Sequence, residues 1–149
     1  MYCTKKITSD LIWLGGSDRR LALFENVYPI PRGVSYNAYL IQDEKTALLD
    51  TVDQAIAERF FENLEHALQG KPLNYVIVNH MEPDHAATLG TVLSRYPEAT
   101  VIGNAKTLPM IKQFFPMEVE GRFQAVKEGD TPVSYTHLRA HETRSNLVC

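Results

Sequence analysis

A short apolar run, Tyr75-Val76-Ile77-Val78, ends directly against Asn79-His80-Met81-Glu82-Pro83-Asp84-His85, a stretch dense in imidazoles and carboxylates. Runs of this length, cut off by polar residues, read as buried strands of a parallel or mixed sheet. Ligands of open α/β sheets collect just beyond the carboxyl ends of such strands, which is where this stretch falls. A chain that stays extended from His80 to Asp84 would put His80, Glu82 and Asp84 on one face. His85 would then open the next helix on another heading. Pro83 disfavours a helical Glu82 and so keeps the segment open. Imidazole mixed with carboxylate suits iron, zinc or manganese better than metals that prefer soft ligands. The competing reading is a capped helix start, with Asp84 accepting the first amide hydrogens. Four candidate ligands between His80 and His85 favour the metal.

The rest of the chain alternates as an α/β protein should. Leu11 to Leu14, Asn37 to Ile41 and Ala47 to Leu49 read as strands, with turns expected at Gly15-Gly16 and Asp43-Glu44. Asp53 is a suitable N-cap for a helix whose stripe is Ile56, Phe60, Leu64 and Leu68. Gly70 and Pro72 stop that helix, and His66, off the stripe, reads as a solvated surface residue. Leu89, Val92, Leu93 and Tyr96 form a second helical face closed by Pro97. Thr100-Val101-Ile102 is another short strand. Asn104 can cap a third helix bearing Leu108, Ile111 and Phe115 and ended by Pro116.

Composition excludes several classes of function. A net charge of −3 over 149 residues makes no electrostatic case for nucleic acid, and no block of Lys or Arg points to a membrane surface. No apolar stretch approaches a transmembrane span, and the start lacks the apolar core of a signal peptide. Cys3 and Cys149 lie at opposite ends and read as free thiols of a reducing compartment. The expected location is the cytoplasm.

His80-x-Glu82-x-Asp84-His85 resembles the flavodiiron form of the metallo-β-lactamase signature, in which Glu82 stands where hydrolase members carry His. Phe24-Glu25, the run from Pro29 to Leu40 and the strand-then-acid element Ala47-Leu48-Leu49-Asp50-Thr51-Val52 are similar to the same family. The resemblance spans about Ile7 to Thr131. It implies the first half of an αββα metallo-β-lactamase-like sandwich, joined in the family to a flavodoxin-like FMN domain. The implied activity is reduction of oxygen to water or of nitric oxide to nitrous oxide at two non-haem irons. The implied partners are an electron donor such as rubredoxin or a reductase and a head-to-tail second subunit. Carried over residue by residue, His80 and Glu82 would bind one iron and Asp84 the other. His85 would lie beside the metals, and Asp50 would support the loop from behind or serve only as a turn carboxylate.

The family's sequence after a Gly-Asp-Thr such as Gly129-Asp130-Thr131 continues into more sheet and into a further His, a bridging Asp and a last His. Pro132 to Cys149 has no such pattern and no helical or strand period. It reads as a tail foreign to the domain, with His137 and His141 as chance residues. A chain holding only the first ligand set is expected to be inactive by itself. Two other readings stand beside this one, a zinc-dependent hydrolase of the same fold and a non-enzymatic diiron oxygen sensor. Glu82 weighs against the hydrolase.

Overall fold

A computed structural model describes residues 2–24, 26–127 and 129–131 of the chain. The expected tail, with His137 and His141, lies outside the described residues. Strands β1 (Lys5–Lys6), β2 (Leu11–Trp13), β3 (Gly16–Asp18), β4 (Leu23–Phe24), β5 (Tyr28–Pro29), β6 (Val34–Tyr36), β7 (Tyr39–Gln42) and β8 (Thr46–Leu49) come first. Helix α1 (Ala57–Leu68) leads to β9 (Tyr75–Ile77), the one-turn α2 (Pro83–Ala86), α3 (Leu89–Arg95), β10 (Thr100–Gly103), α4 (Thr107–Phe114) and β11 (Phe123–Ala125).

Seven strands form the main sheet in the order β1-β2-β7-β8-β9-β10-β11. The β1 to β8 side is antiparallel, and β8, β9, β10 and β11 run parallel. Register places Ile12, Leu40, Leu48, Val76, Val101 and Phe123 in one row across the strands. Leu40, Leu48, Val76 and Val101 are fully buried, in one core with Phe60 and Leu64 of α1, Val92 and Leu93 of α3, and Ile111 of α4. The helices therefore cover the face on which this row lies. Truncating a core residue such as Leu48 to Ala would cost about 2–5 kcal/mol. Alternation along the strands puts Ile41, Ala47 and Ile102 on the opposite face, where they too are buried.

The expected helix of residues 53–68 is present, with a small variation at its start. Asp53 caps a 3₁₀ turn, Gln54–Ile56, by accepting from the Ala55 N–H at 2.7 Å, and α1 follows directly. The helix ends on Gln69 in the left-handed region, followed by Gly70, also left-handed. Asn104 accepts from the Lys106 N–H at 2.8 Å, just ahead of α4. His66 is exposed, yet it stacks on Tyr2 with ring centroids 4.0 Å apart.

Gly15-Gly16 is not a turn. Gly16 opens β3, which pairs antiparallel with β6 as a separate two-stranded sheet. The glycine at position 15 answers to close backbone approach, since a Cβ there would fall 1.9 Å from the Tyr36 carbonyl oxygen. A second small hairpin pairs β4 with β5. Among the described residues no helix is long and apolar enough to cross a membrane.

Candidate metal centre

The loops after the parallel neighbours β8 and β9 meet at the carboxyl edge of the sheet. Asp50, directly after β8, holds a left-handed backbone at φ 54°. Its carboxylate accepts from the Asn79 N–H at 2.7 Å, the Asn79 side-chain amide at 3.2 Å and the His80 N–H at 3.4 Å. One side chain on the β8 loop thus fixes the backbone entering the β9 loop. The left-handed conformation, which Asp tolerates better than most residues, is held by these bonds.

The β9 loop is extended only as far as Glu82, at φ −69° and ψ 153°. Pro83 then takes the first helical position, where its fixed φ suits the helix and its missing N–H costs nothing. Asp84 and His85 therefore ride on a helical turn. The single extended face expected for His80, Glu82 and Asp84 is not formed. The helix also does not start on Asp84; Glu82 is the N-cap and makes no side-chain capping bond.

The consequence is two donor pairs. His80 Nε2 lies 3.1 Å from Glu82 Oε1, and His85 Nε2 lies 3.4 Å from Asp84 Oδ2. The two imidazoles stand edge to face, with centroids 5.4 Å apart. Among the described residues no three His, Cys, Asp or Glu side chains converge on one point. Two ligands held about 2.0–2.1 Å from one ion lie about 3.0 Å apart when cis in an octahedron and about 3.4 Å apart in a tetrahedron. Both donor pairs have separations of that size.

His85 carries a further sign of an unmet partner. Its Nδ1 is buried and makes no good hydrogen bond, the nearest carboxylate oxygen being Asp50 Oδ2 at 3.5 Å. Asp50 holds the His85 imidazolium above its ordinary range, aided by the charges of Asp84 and Glu82 and opposed by burial. Tyr36, 3% exposed, belongs to the same electrostatic neighbourhood. Burial, reinforced by Asp53, Asp18 and Asp84, pushes its hydroxyl up to about 12. Three carboxylates facing two imidazoles make a negative, oxygen- and nitrogen-rich site whose chemistry fits a hard or borderline cation.

Backbone contacts complete the frame. The Thr51 N–H and hydroxyl both donate to the His85 carbonyl, at 2.8 and 2.9 Å. Thr88 donates to the Val52 carbonyl from its N–H and its hydroxyl, and accepts the Val52 N–H. Neither threonine was identifiable from sequence, because spacing does not reveal which loop a hydroxyl will cross to. Also unforeseen is an open cleft of about 610 Å³ between β3 and the start of α1. Arg19, Arg20 and Arg59 are balanced there by Asp18, Glu58 and Glu62.

Comparison with known proteins identifies the family of the fold. The metallo-beta-lactamase superfamily model matches residues 31–144. The chain belongs to that superfamily. Similar curated proteins include the anaerobic nitric oxide reductase flavorubredoxin of Salmonella arizonae, 34% identical over 126 residues, or 84% of this chain and 26% of that protein. A flavorubredoxin homolog of Escherichia coli O157:H7 is 32% identical over 84% of this chain and 30% of its own length. The chain thus spans between a quarter and a third of the curated relatives it matches. Similar structures include a flavo di-iron protein variant from Thermotoga maritima, with TM-score 0.78, 28% identity, and coverage of 87% of this chain and 33% of that one. Rubredoxin oxygen:oxidoreductase from Desulfovibrio gigas has TM-score 0.78 and 26% identity, with coverage of 86% and 32%. The resemblance to flavodiiron proteins and the metallo-β-lactamase-like fold are both borne out, over part of the relatives' length.

Proposed function

We propose that the chain is the metal-binding first part of a flavodiiron oxidoreductase acting on oxygen or nitric oxide. The observation that carries this reading is the pairing of His80 with Glu82 and of Asp84 with His85 in the loop after β9. His80 and Glu82 would hold one ion and Asp84 another, with His85 beside them and Asp50 bracing the loop from behind. Two iron ions, when bound, supply paired coordination positions that orient a diatomic substrate and stabilise developing charge, and FMN supplies the electrons.

The residues of this chain contribute position and field. Asp50 fixes the His80 backbone, so the His80 ring is aimed by the β8 loop. Glu82, a hard anionic ligand, favours oxidised iron more than a neutral imidazole would. Asp84 and His85 are carried, half-buried, on the helix that Pro83 starts. The oxygen or nitric oxide substrate, a donor such as rubredoxin or a reductase, and a head-to-tail second subunit are part of the same proposal.

The ligand set in this chain is incomplete by this reading. Close cations repel, and the bridging carboxylate that offsets repulsion would come from sequence that in the family follows the Gly129-Asp130-Thr131 element. The chain alone is therefore proposed to be inactive, with residues 132–149 contributing nothing to the centre. Anaerobic reconstitution with iron or zinc tests the assignment. A preference for iron at a site lost in Glu82→Ala supports it. Tight zinc binding with hydrolysis of an amide or ester substrate would overturn it in favour of the hydrolase.

A further inference from the structure

We propose that Thr51 and Thr88 are positioning residues that set the rotation of α2 and so the separation of the two donor pairs. The inference rests on the metal reading of His80, Glu82 and Asp84. Helix α2 has only four residues, and its N-cap makes no side-chain bond. A helix of one turn has no stability of its own in water, so tertiary bonds must hold it. Those bonds come from the β8 loop. Thr51 sends both of its donors to the carbonyl of His85, the residue whose ring faces Asp50 and Asp84. Thr88, just beyond α2, closes the other end on Val52 through its N–H and hydroxyl. Both threonines are almost wholly buried, at 1% and 0% exposure, so water cannot replace either hydroxyl.

The lever is geometric. Side-chain tips lie about 5–6 Å from a helix axis, so a rotation of about 10° moves Asp84 or His85 by about 1 Å. Metal–ligand distances tolerate only about 0.2 Å. The β8 loop therefore reaches the centre twice, through the Asp50 carboxylate on His80 and through α2, which it holds with the Thr51 hydroxyl at His85 and the Val52 carbonyl at Thr88. Thr51 is the cleaner probe of the two. Thr51→Val keeps the shape and the N–H bond to His85 while deleting only the hydroxyl. Removing the Thr88 hydroxyl would also leave the Val52 N–H without its partner.

The test uses the whole chain, without metal and with cobalt(II). Thr51→Val should raise amide hydrogen exchange at Ala86 and Ala87 about tenfold and shift the His85 ring nitrogen resonances, with the melting temperature nearly unchanged. Cobalt(II) binding, followed by its visible absorption, should weaken about tenfold or more. Thr51→Ser should restore both. A Thr51→Val chain that loses thermal stability but keeps wild-type exchange at Ala86 and Ala87, the His85 resonances and cobalt affinity would overturn the proposal. So would a failure of Thr51→Ser to restore them. If the wild-type chain binds no cobalt, the metal reading fails by itself, and the positioning role stands or falls on the exchange rates and ring resonances.

Discussion

At the scale of single residues, Asp50 is where backbone, loop and site chemistry meet. A left-handed aspartate is strained, and here the strain is held by bonds to the Asn79 and His80 backbone. Asp50→Ala removes those acceptors and leaves alanine at a positive φ, so we expect a loss of about 1–3 kcal/mol in urea unfolding. A loss below about 0.5 kcal/mol would mean that the loop holds itself. Asp50→Asn should retain the backbone and remove the charge beside His85. A second residue-scale expectation concerns pH. The hydrogen bond from Arg20, then the Arg20 backbone N–H, holds the buried Asp18 carboxyl below its ordinary range. A depressed folded value means that this contribution is present above the unfolded value and fades as pH falls through the folded one. Thermal scans below about pH 4 should therefore show a smaller pH dependence for Asp18→Asn than for wild type. An unchanged slope would remove Asp18 from the acid transition.

At the scale of elements, Arg122 ties the parallel edge of the sheet to α3. Its guanidinium donates to the carbonyls of Leu93, Tyr96 and Pro97 at 3.1, 3.1 and 2.9 Å, and lies 3.4 Å from that of Ala99. These are carbonyls at or just past the helix end, where acceptors lack helical partners. Lysine offers one compact ammonium where the planar fork reaches several oxygens. Arg122→Lys should thus lower the melting temperature by about 2–4 °C per kcal/mol lost, and a wild-type melting curve would show the clamp to be ornamental. Elements with an apolar period were legible from sequence. The Ile56, Phe60, Leu64 and Leu68 stripe and the strand at Tyr75 announce themselves, because burial of one face dictates the pattern. The β3–β6 and β4–β5 pairs were not, since their strands of two or three residues are too short to carry a period. At the site, His80, Glu82, Asp84 and His85 stood out by clustering, whereas Asp50 was reached only through the strand-then-acid element of the family resemblance. The partition of the clustered residues into two pairs did not stand out, because it depends on where Pro83 starts the helix, and helix ends are set by local competition among caps. Thr51 and Thr88 left no pattern at all.

At the scale of the whole molecule, helices cover one face of the sheet, while Ile41, Ala47 and Ile102 are buried on the other. That arrangement is one layer pair of the superfamily fold, over a chain that spans about a third of its structural relatives. The proposed boundary at Thr131 carries its own expectation. A chain ending there should melt as the full chain does, and a clear drop would make residues 132–149 part of the domain. The central claim is that the loop after β9 binds iron through His80, Glu82 and Asp84. Anaerobic iron titration with elemental analysis tests it most directly, using wild type, His80→Ala, Glu82→Ala and His137→Ala. The account predicts weak binding of fewer than about two ions per chain, lost in the first two variants and unchanged in the third. Binding indifferent to His80 and Glu82, or two irons tightly held by this chain alone, would contradict it.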